Sequence, residues 1–290
     1  MQVHATAASR ASASRGLTLV QDGTSTLTLF RCFLSLKIAS PFILPYGLLE
    51  EMNYLSLLAA LVVVATCLPR TALFGMLGSA ALALSECLRT WPFTINHAFI
   101  ELIAMLLLCL APQVRRSEGE QQPIAGELIV ILMLSVWLYS GIHKLCDGYY
   151  LNGEFFALEV SNGATALGEH LGILLQTFAK LFSLAPAQVP LSCCTVAETS
   201  FPVWQVFFFQ GLSWLTIAGE LLLPLGVLWR RSHQISISGL LLLQGLIGYF
   251  SGEIDFAFTA YAILLLVLPR WSTVTYPLLT VIYLGVCPWA

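Results

Sequence analysis

The sequence predicts an all-α membrane protein, a bundle of about eight or nine transmembrane helices. Hydrophobic residues make up 58% of the 290 residues, charged residues only 10%, and the mean hydropathy is +0.83. Soluble domains carry about 25% charged residues, so a soluble fold of this length would leave a large apolar surface in water. The net charge is −3 and there is no basic patch, which argues against nucleic acid as a partner.

Nine apolar segments are candidate spans, judged against the about 20 mostly apolar residues that a helix needs to cross the bilayer. The first segment, 27–49, is marginal because it contains Arg31 and Lys37. The count is therefore nine if this segment spans the membrane and eight if it lies at the interface. The other segments are 54–68, 71–88, 94–110, 128–145, 204–228, 235–250, 256–268 and 274–286.

The sequence divides into an N-terminal segment, 1–24, and a transmembrane domain, 25–290. Residues 1–16 are rich in Ala, Ser and Arg and lack acidic residues, which is typical of a targeting peptide or a disordered tail. Residues 146–202 form the largest polar stretch between spans, here called the polar insert. Within it, the spacing of apolar residues in 169–182 predicts an amphipathic helix that lies at the membrane interface or covers a site as a lid.

The eight cysteines do not indicate a metal or redox motif. None has the CxxC spacing of a zinc or thioredoxin-type site. Cys193 and Cys194 are adjacent in the polar insert, and either of them could form a disulfide with Cys146.

Loop charges orient the spans. Arginines close alternate spans, whereas Glu50, Glu51 and the polar insert fall between them. The positive-inside rule places the arginines on the cytoplasmic side. His97 begins one span and Lys144 ends the next, so both are expected at the non-cytoplasmic end of the bundle.

Lys144 is the first candidate catalytic residue. It ends an apolar segment, within the stretch 139–153 that reads YSGIHKLCDGYYLNG. A charge there is costly in a membrane and by default indicates a functional site. Apolar surroundings disfavour the ammonium, and a neutral lysine can act as a general base or a Schiff-base nucleophile. The alternative is a lysine that snorkels to the headgroups, but the neighbouring His143 and Asp147 favour a site.

Asn96, His97 and Glu220 are further candidates. Asn96 can cap the helix that His97 begins, and His97 can then carry a proton or bind a substrate. The alternative is an interfacial histidine that is satisfied by water. Glu220 lies deep within the span 204–228, four residues before Pro224, and a carboxylate at that depth must face the bundle interior or a cavity. It either lines a site or bonds a neighbouring helix.

Two more carboxylates, Glu86 and Glu101, also fall inside predicted spans. A charge in the hydrocarbon core is costly without a counter-charge. Arg31 and Lys37 are the candidate partners, and the sequence leaves the pairing open.

The residues around the lysine resemble one known family. Asn96-His97 opens one span and the stretch 141–145 (GIHKL) closes the next, which is similar to the HTTM family. That family is the membrane domain shared by vitamin K-dependent gamma-glutamyl carboxylase and many bacterial relatives. The turn 147–153 and the segment 219–224 are similar to later parts of the family pattern, and the resemblance covers about residues 25–270.

The resemblance implies that Lys144 deprotonates a reduced quinone, a vitamin K hydroquinone-like cofactor, and that His97 takes part in carboxylation. The family has two consecutive lysines where this chain has His143 and Lys144. The chain also ends soon after the last predicted span. We therefore expect lysine-base chemistry on a quinone or lipid substrate at the non-cytoplasmic face rather than protein carboxylation itself.

Together these observations predict a multi-pass membrane enzyme, a carboxylase-like lyase or another quinone-dependent enzyme, without a metal. Its partners are the lipid bilayer and a quinone or lipid-like molecule, and the identity of the membrane stays open. The expected site residues are Lys144, His97 and His143 for catalysis, with Asn96, Glu220 and Asp147 for substrate binding. The alternative is a non-catalytic membrane scaffold or a small-molecule transporter, although the internal repeats of many transporters are not evident.

Overall fold

A computed structural model of the chain describes residues 24–43, 54–89, 96–110, 124–162, 166–182, 188–190, 200–229, 231–251 and 254–286. Across these residues the chain forms twelve helices and one short two-stranded sheet, which confirms the all-α prediction. The predicted targeting segment 1–24 lies outside the described residues, except for Thr24 itself.

The helices and strands are labelled in chain order. Before the polar insert come α1 (Thr24–Ile43), α2 (Tyr54–Cys67), α3 (Ala72–Arg89), α4 (Asn96–Leu110) and α5 (Ile124–Cys146). The insert contains α6 (Gly148–Leu151), α7 (Glu154–Asn162), α8 (Ala166–Phe182), β1 (Gln188–Pro190) and β2 (Ser200–Pro202). After it come α9 (Val203–Val227), α10 (His233–Ser251), α11 (Ile254–Leu265) and α12 (Pro269–Val286). Each of the nine predicted spans therefore overlaps a helix, and residues 44–49 of the first predicted span lie outside the described residues. The number of helices that cross the membrane stays a prediction.

Four of the described helices are long and apolar enough to cross a membrane, and they contain Thr26–Ile43, Ala72–Arg89, Ile124–Cys146 and Val203–Val227. Their outer faces expose large apolar side chains; Phe74 is 74% exposed and Leu215 68%. Most residues of α9 are not buried. Such a surface is costly in water and suits lipid, so these helices are compatible with a membrane protein.

Contacts between residues divide the chain into two compact units. The first comprises 1–131 and 262–290, and the second comprises 132–261. In the first unit, α1 contacts α2, α3, α4 and α12. The face of α3 that is buried there carries mostly small residues at helical spacing, which allows close packing between helices: Ala72, Gly75, Met76, Ser79, Ala80 and Ala83.

A buried hydroxyl cluster joins three helices of the first unit. Ser35 of α1 donates to Thr66 Oγ1 of α2 at 3.1 Å, and its Oγ lies 2.7 Å from Ser79 Oγ of α3. Thr66 in turn donates to the backbone carbonyl of Val62. Interhelical hydrogen bonds of this kind contribute to helix association in membranes, where apolar packing alone is not selective.

In the second unit, the described residues of the polar insert form helices and short strands. Its helices and β2 pack on α9 and share an apolar core with it, formed by Phe156, Ala157, Leu171, Leu175, Phe201 and Phe209. The predicted amphipathic helix is α8, which buries Leu171 and Leu175 and contacts α7 and α10. It also exposes Ile173 and Leu174, so contact with the membrane interface stays a prediction.

The sequence left open whether Cys146 forms a disulfide with Cys193 or Cys194. Cys146 is exposed at the end of α5. Cys193 and Cys194 are not among the residues that the structure describes, so the question stays open.

Candidate functional site

Lys144 and Glu220 form an ion pair in the second unit, in which the carboxylate is buried and the lysine is partly exposed. Lys144 Nζ lies 2.5 Å from Glu220 Oε1. The side chain of Glu220 is 3% exposed and that of Lys144 is 16% exposed. Taking two charges out of water is costly, and their attraction offsets that cost only in close geometry. The structure therefore joins two residues that the sequence placed on separate spans.

A close approach between α5 and α9 brings these residues together. Trp137, Gly141 and Lys144 lie at positions i, i+4 and i+7 of α5, hence on one face of the helix. A Cβ on Gly141 would lie 2.9 Å from a side-chain carbon of Leu221 and 3.1 Å from Cβ of Glu220. Because glycine lacks that atom, α9 can approach α5 closely enough for the lysine to reach the carboxylate.

An aromatic ring covers the ammonium group of Lys144. Lys144 Nζ lies 5.4 Å from the ring centre of Tyr150, within cation–π range. Tyr150 stacks on Phe155, with ring centres 4.8 Å apart. Asp147 begins α6 by accepting a hydrogen bond from the backbone N–H of Tyr149 at 3.1 Å. This cap turns the chain after α5 and places the tyrosine ring over the lysine.

Gly153 fixes the turned chain against α9. Its φ is +76°, which an L side chain rarely adopts. A Cβ there would lie 2.7 Å from the backbone nitrogen of Gln210 and 2.7 Å from the carbonyl carbon of Phe209. Since Gly141 meets Leu221 and Gly153 meets Phe209, the chain from α5 to α7 runs antiparallel to α9.

Gly153→Ala is expected to destabilise the second unit by about 2–5 kcal/mol, because left-handed backbone and crowding against α9 both add cost. Gly148→Ala is the matched control, since nothing lies within 4 Å of the position of its added Cβ. Thermal unfolding of the purified variants in detergent measures the difference. Equal melting temperatures for the two variants would contradict the assigned contact.

Glu220 has a second carboxylate oxygen that can accept a further hydrogen bond. Its second oxygen, Oε2, is buried and has no hydrogen-bond partner among the described residues. Pro224 lies inside α9 and cannot donate a backbone N–H to the carbonyl of Glu220. Buried acceptors without donors cost free energy that water or a ligand can recover. The pair therefore has hydrogen-bonding capacity left for a ligand that carries a donor.

Two of the predicted site residues, Asn96 and His97, begin α4 as the sequence predicted. Their side chains lie outside the described part of the chain. The expected proximity of His97 and Lys144 stays a prediction.

His143 and Asp147 flank the pair in sequence. His143 is exposed, and its ring centre lies 6.3 Å from that of Tyr139. Asp147 is half-buried and caps α6. The contacts described for these two residues are structural, and their predicted roles in catalysis and substrate binding stay predictions.

The first unit contains a second buried pair, which decides the pairing that the sequence left open. Lys37 Nζ lies 2.5 Å from Glu101 Oε1, with side chains 2% and 7% exposed. Lys37 also lies 5.9 Å from the ring centre of Tyr283. Glu86 instead pairs with Arg89, one turn further along the same helix.

Sequence reasoning missed Tyr150, Trp137 and Gln244. Trp137 Nε1 donates to Gln244 Oε1 at 3.1 Å, and both side chains are buried. Gln244 lies inside a predicted span, and this position could have indicated a buried contact. An amide at that depth must find hydrogen-bond partners in the bundle interior. Tyr150 lies in the turn 147–153 that the resemblance includes, but only the chain reversal at Asp147 brings it to the lysine.

The described residues contain no group of three or more His, Cys, Asp or Glu side chains that could hold a metal ion. The chemical groups described at the site are the amine of Lys144, the carboxylate of Glu220 and the aromatic rings beside them. Comparison with known proteins finds no matching family model, no similar protein sequence and no similar solved structure.

Proposed function

We propose that this chain is a multi-pass membrane protein of the HTTM type, with about eight or nine spans. Its Lys144–Glu220 pair performs acid–base chemistry on a hydroxyl group of a reduced quinone or a lipid-like molecule. The observation that carries the proposal is the ion pair at 2.5 Å, in which one oxygen of the buried carboxylate is left to accept from a donor. The HTTM assignment is supported by the sequence resemblance at Asn96-His97 and 141–153.

The pair can provide a base without an isolated charge. Transfer of a proton from Lys144 to Glu220 turns the ion pair into a neutral amine and a neutral acid. Burial lowers the cost of this step, because both charges are desolvated in the ion pair. The amine then accepts a proton from a hydroxyl group within about 2.6–3.2 Å. The ammonium that results stays beside the negative oxygen and stabilises it.

The surroundings of the pair suit a ring that carries hydroxyl groups. Glu220 Oε2 can accept a hydrogen bond, and the stacked rings of Tyr150 and Phe155 add an aromatic surface near Lys144. A reduced quinone bound here would supply an acidic hydroxyl group and, after losing the proton, reducing power. His97 is the proposed second proton carrier.

The proposed site faces the non-cytoplasmic side. The charge distribution supports this placement, since the arginines that close alternate spans mark the cytoplasmic side. Lys144 lies at the opposite end of its span, next to the folded polar insert. A substrate that is soluble in the bilayer would therefore reach the pair near the outer leaflet.

Lys144→Met tests the proposal with 2-decylhydroquinone as the probe, in detergent without oxygen. We expect the wild type to bind the probe partly ionised at neutral pH, seen as a red-shifted absorption. Lys144→Met should bind it with an ionised fraction about 100-fold lower, within the range of general-base effects. Lys180→Met, an exposed lysine of α8 in the same unit, is the control. Ionisation that persists in Lys144→Met would remove Lys144 as the base.

One observation favours the scaffold function as the second candidate. The first unit holds a pair of the same kind, Lys37–Glu101, also with a tyrosine ring near the lysine. Ion pairs that recur in both units are consistent with a structural role, in which each pair fixes the packing of two helices in a membrane bundle. The scaffold function requires that the Lys144–Glu220 pair hold α5 against α9. Acid–base chemistry requires instead that a proton can move between the pair and a bound substrate.

A further inference from the structure

Two cysteines of the first unit lie together where α1 packs on α2. Cys32 is three residues before Ser35, on the same face of α1, and Cys67 directly follows Thr66. Ser35 and Thr66 are joined by the hydrogen bond between the two helices described above. The thiols of Cys32 and Cys67 also hydrogen-bond to each other, and neither is in a disulfide. The fold therefore brings into contact two free thiols that are far apart in the sequence.

The packing of the two helices places the cysteines at one level of the bundle. Ser56 of α2 donates to the backbone carbonyl of Phe42 of α1 at 2.8 Å. This bond joins the C-terminal part of α1 to the N-terminal part of α2, so the two helices are antiparallel. The N-terminal half of α1, with Cys32, therefore lies against the C-terminal end of α2, where Cys67 is the last residue. The register of the helices and the contact between the thiols agree.

The two thiols differ in exposure and in the charge beside them. Cys67 is exposed, whereas Cys32 is half-buried. An exposed thiol ionises more readily than a buried one, so Cys67 is the thiol that provides the reactive thiolate. The guanidinium group of Arg31 hydrogen-bonds to Cys32. The Nε–H of Arg31 is buried and has no hydrogen-bond partner among the described residues, so it can still donate to an incoming ligand.

We propose that Cys67 and Cys32 form a reactive site that reduces a hydroperoxide and closes to a disulfide between α1 and α2. The thiolate of Cys67 attacks the terminal oxygen of the hydroperoxide, the O–O bond breaks, and Cys67 becomes a sulfenic acid. The oxygen that leaves takes up the proton that Cys67 released, and departs as water or an alcohol. The sulfur of Cys32 then attacks the sulfenic sulfur and loses its proton, and the sulfenic hydroxyl leaves as water. The two thiols together lose two electrons, which the hydroperoxide gains.

The class of oxidant follows from the groups around the sulfurs. A hydroperoxide is small enough to reach a thiol on a helix surface, and its oxygens can accept a hydrogen bond from the Nε–H of Arg31. The arginine also stabilises negative charge on Cys32 as that sulfur attacks. Cys67 lies three residues before Arg70, and in the proposed topology the arginines mark the headgroup level. At that level the site can meet hydroperoxides from the water and from the lipid. The inference does not depend on chemistry at Lys144.

The test treats the full chain, reduced and purified in lipid nanodiscs, with hydrogen peroxide or with cumene hydroperoxide. Peptide mass spectrometry without a reductant should find Cys32 linked to Cys67 in the wild type, and dithiothreitol should reverse the link. Cys32→Ser should form no link and should accumulate sulfenic acid on Cys67, trapped with dimedone. Cys87→Ser replaces a buried cysteine of α3 as the control, and should form the link at the wild-type rate. Faster linking by hydrogen peroxide would support a water-borne substrate, and faster linking by cumene hydroperoxide a lipid-borne one.

Arg31→Met separates the two chemical steps. Sulfenic acid should still form on Cys67, but the link should close about tenfold more slowly, because Cys32 loses the neighbouring positive charge. Closure at the wild-type rate would remove Arg31 from the site. Wild-type protein in which Cys32 and Cys67 stay reduced while the exposed Cys146 is oxidised would overturn the inference. If Cys32→Ser does not fold, the wild-type map decides alone, and sulfinic acid on Cys67 without a link to Cys32 would equally overturn it.

Discussion

Glu101→Leu is expected to lower the free energy of unfolding of the first unit by about 3–5 kcal/mol, since breaking a buried pair leaves a charge without its counter-charge. Glu101 and Lys37 are both almost fully buried, so water cannot replace the lost carboxylate. For a chain of this size the loss should lower the melting temperature by about 10 °C. Thermal unfolding in detergent, followed by circular dichroism, measures it.

Two control variants test whether the loss of stability comes from breaking the buried pair. Lys37→Met/Glu101→Leu should recover most of the lost stability, because replacing a whole buried pair with apolar residues is often neutral. Arg89→Ala breaks the pair with Glu86, in which Arg89 is 71% exposed. Its effect should stay within about 0.5 kcal/mol. A Glu101→Leu protein as stable as Arg89→Ala would show that the buried pair does not hold the unit together.

The paired replacement Lys144→Met/Glu220→Leu separates acid–base chemistry from the scaffold function. This variant lacks both charges of the pair, so no buried charge is left without its partner. Its melting temperature should therefore remain close to that of the wild type or rise. The ionised fraction of bound 2-decylhydroquinone should nevertheless fall about 100-fold, because no base remains. The scaffold function predicts instead that the wild type does not ionise the probe, and that this variant melts at a lower temperature because the pair no longer holds α5 against α9.

The matched control is the same double replacement in the first unit, Lys37→Met/Glu101→Leu. It removes an equally close Lys–Glu pair but should leave the ionisation of the probe unchanged. If both double variants lose ionisation equally, the loss comes from altered packing of the membrane domain. In that case Lys144 and Glu220 are not the reacting groups.

Several elements could be predicted from the sequence because their signals are local. All nine predicted spans overlap helices in the described residues, since long apolar runs satisfy their backbone polar groups by forming helices. Lys144 and Glu220 stood out for the same reason, because charges in apolar runs are rare and costly. Less of the structure of the polar insert could be predicted from the sequence. Only its amphipathic helix has a clear period, and the packing of α7 and β2 on α9 depends on contacts far apart in the chain.

The local pattern of residues already indicated the helical segments and the single residues that are chemically unusual. Their partners became known from the packing of the helices, which pairs Lys144 with Glu220 across 76 residues and Lys37 with Glu101 across 64. It also placed Tyr150 over the lysine. The physical reason is that helix formation depends on neighbours within a few turns, whereas pairing depends on where two helices can approach. Here that point is Gly141, which has no side chain to keep α9 away.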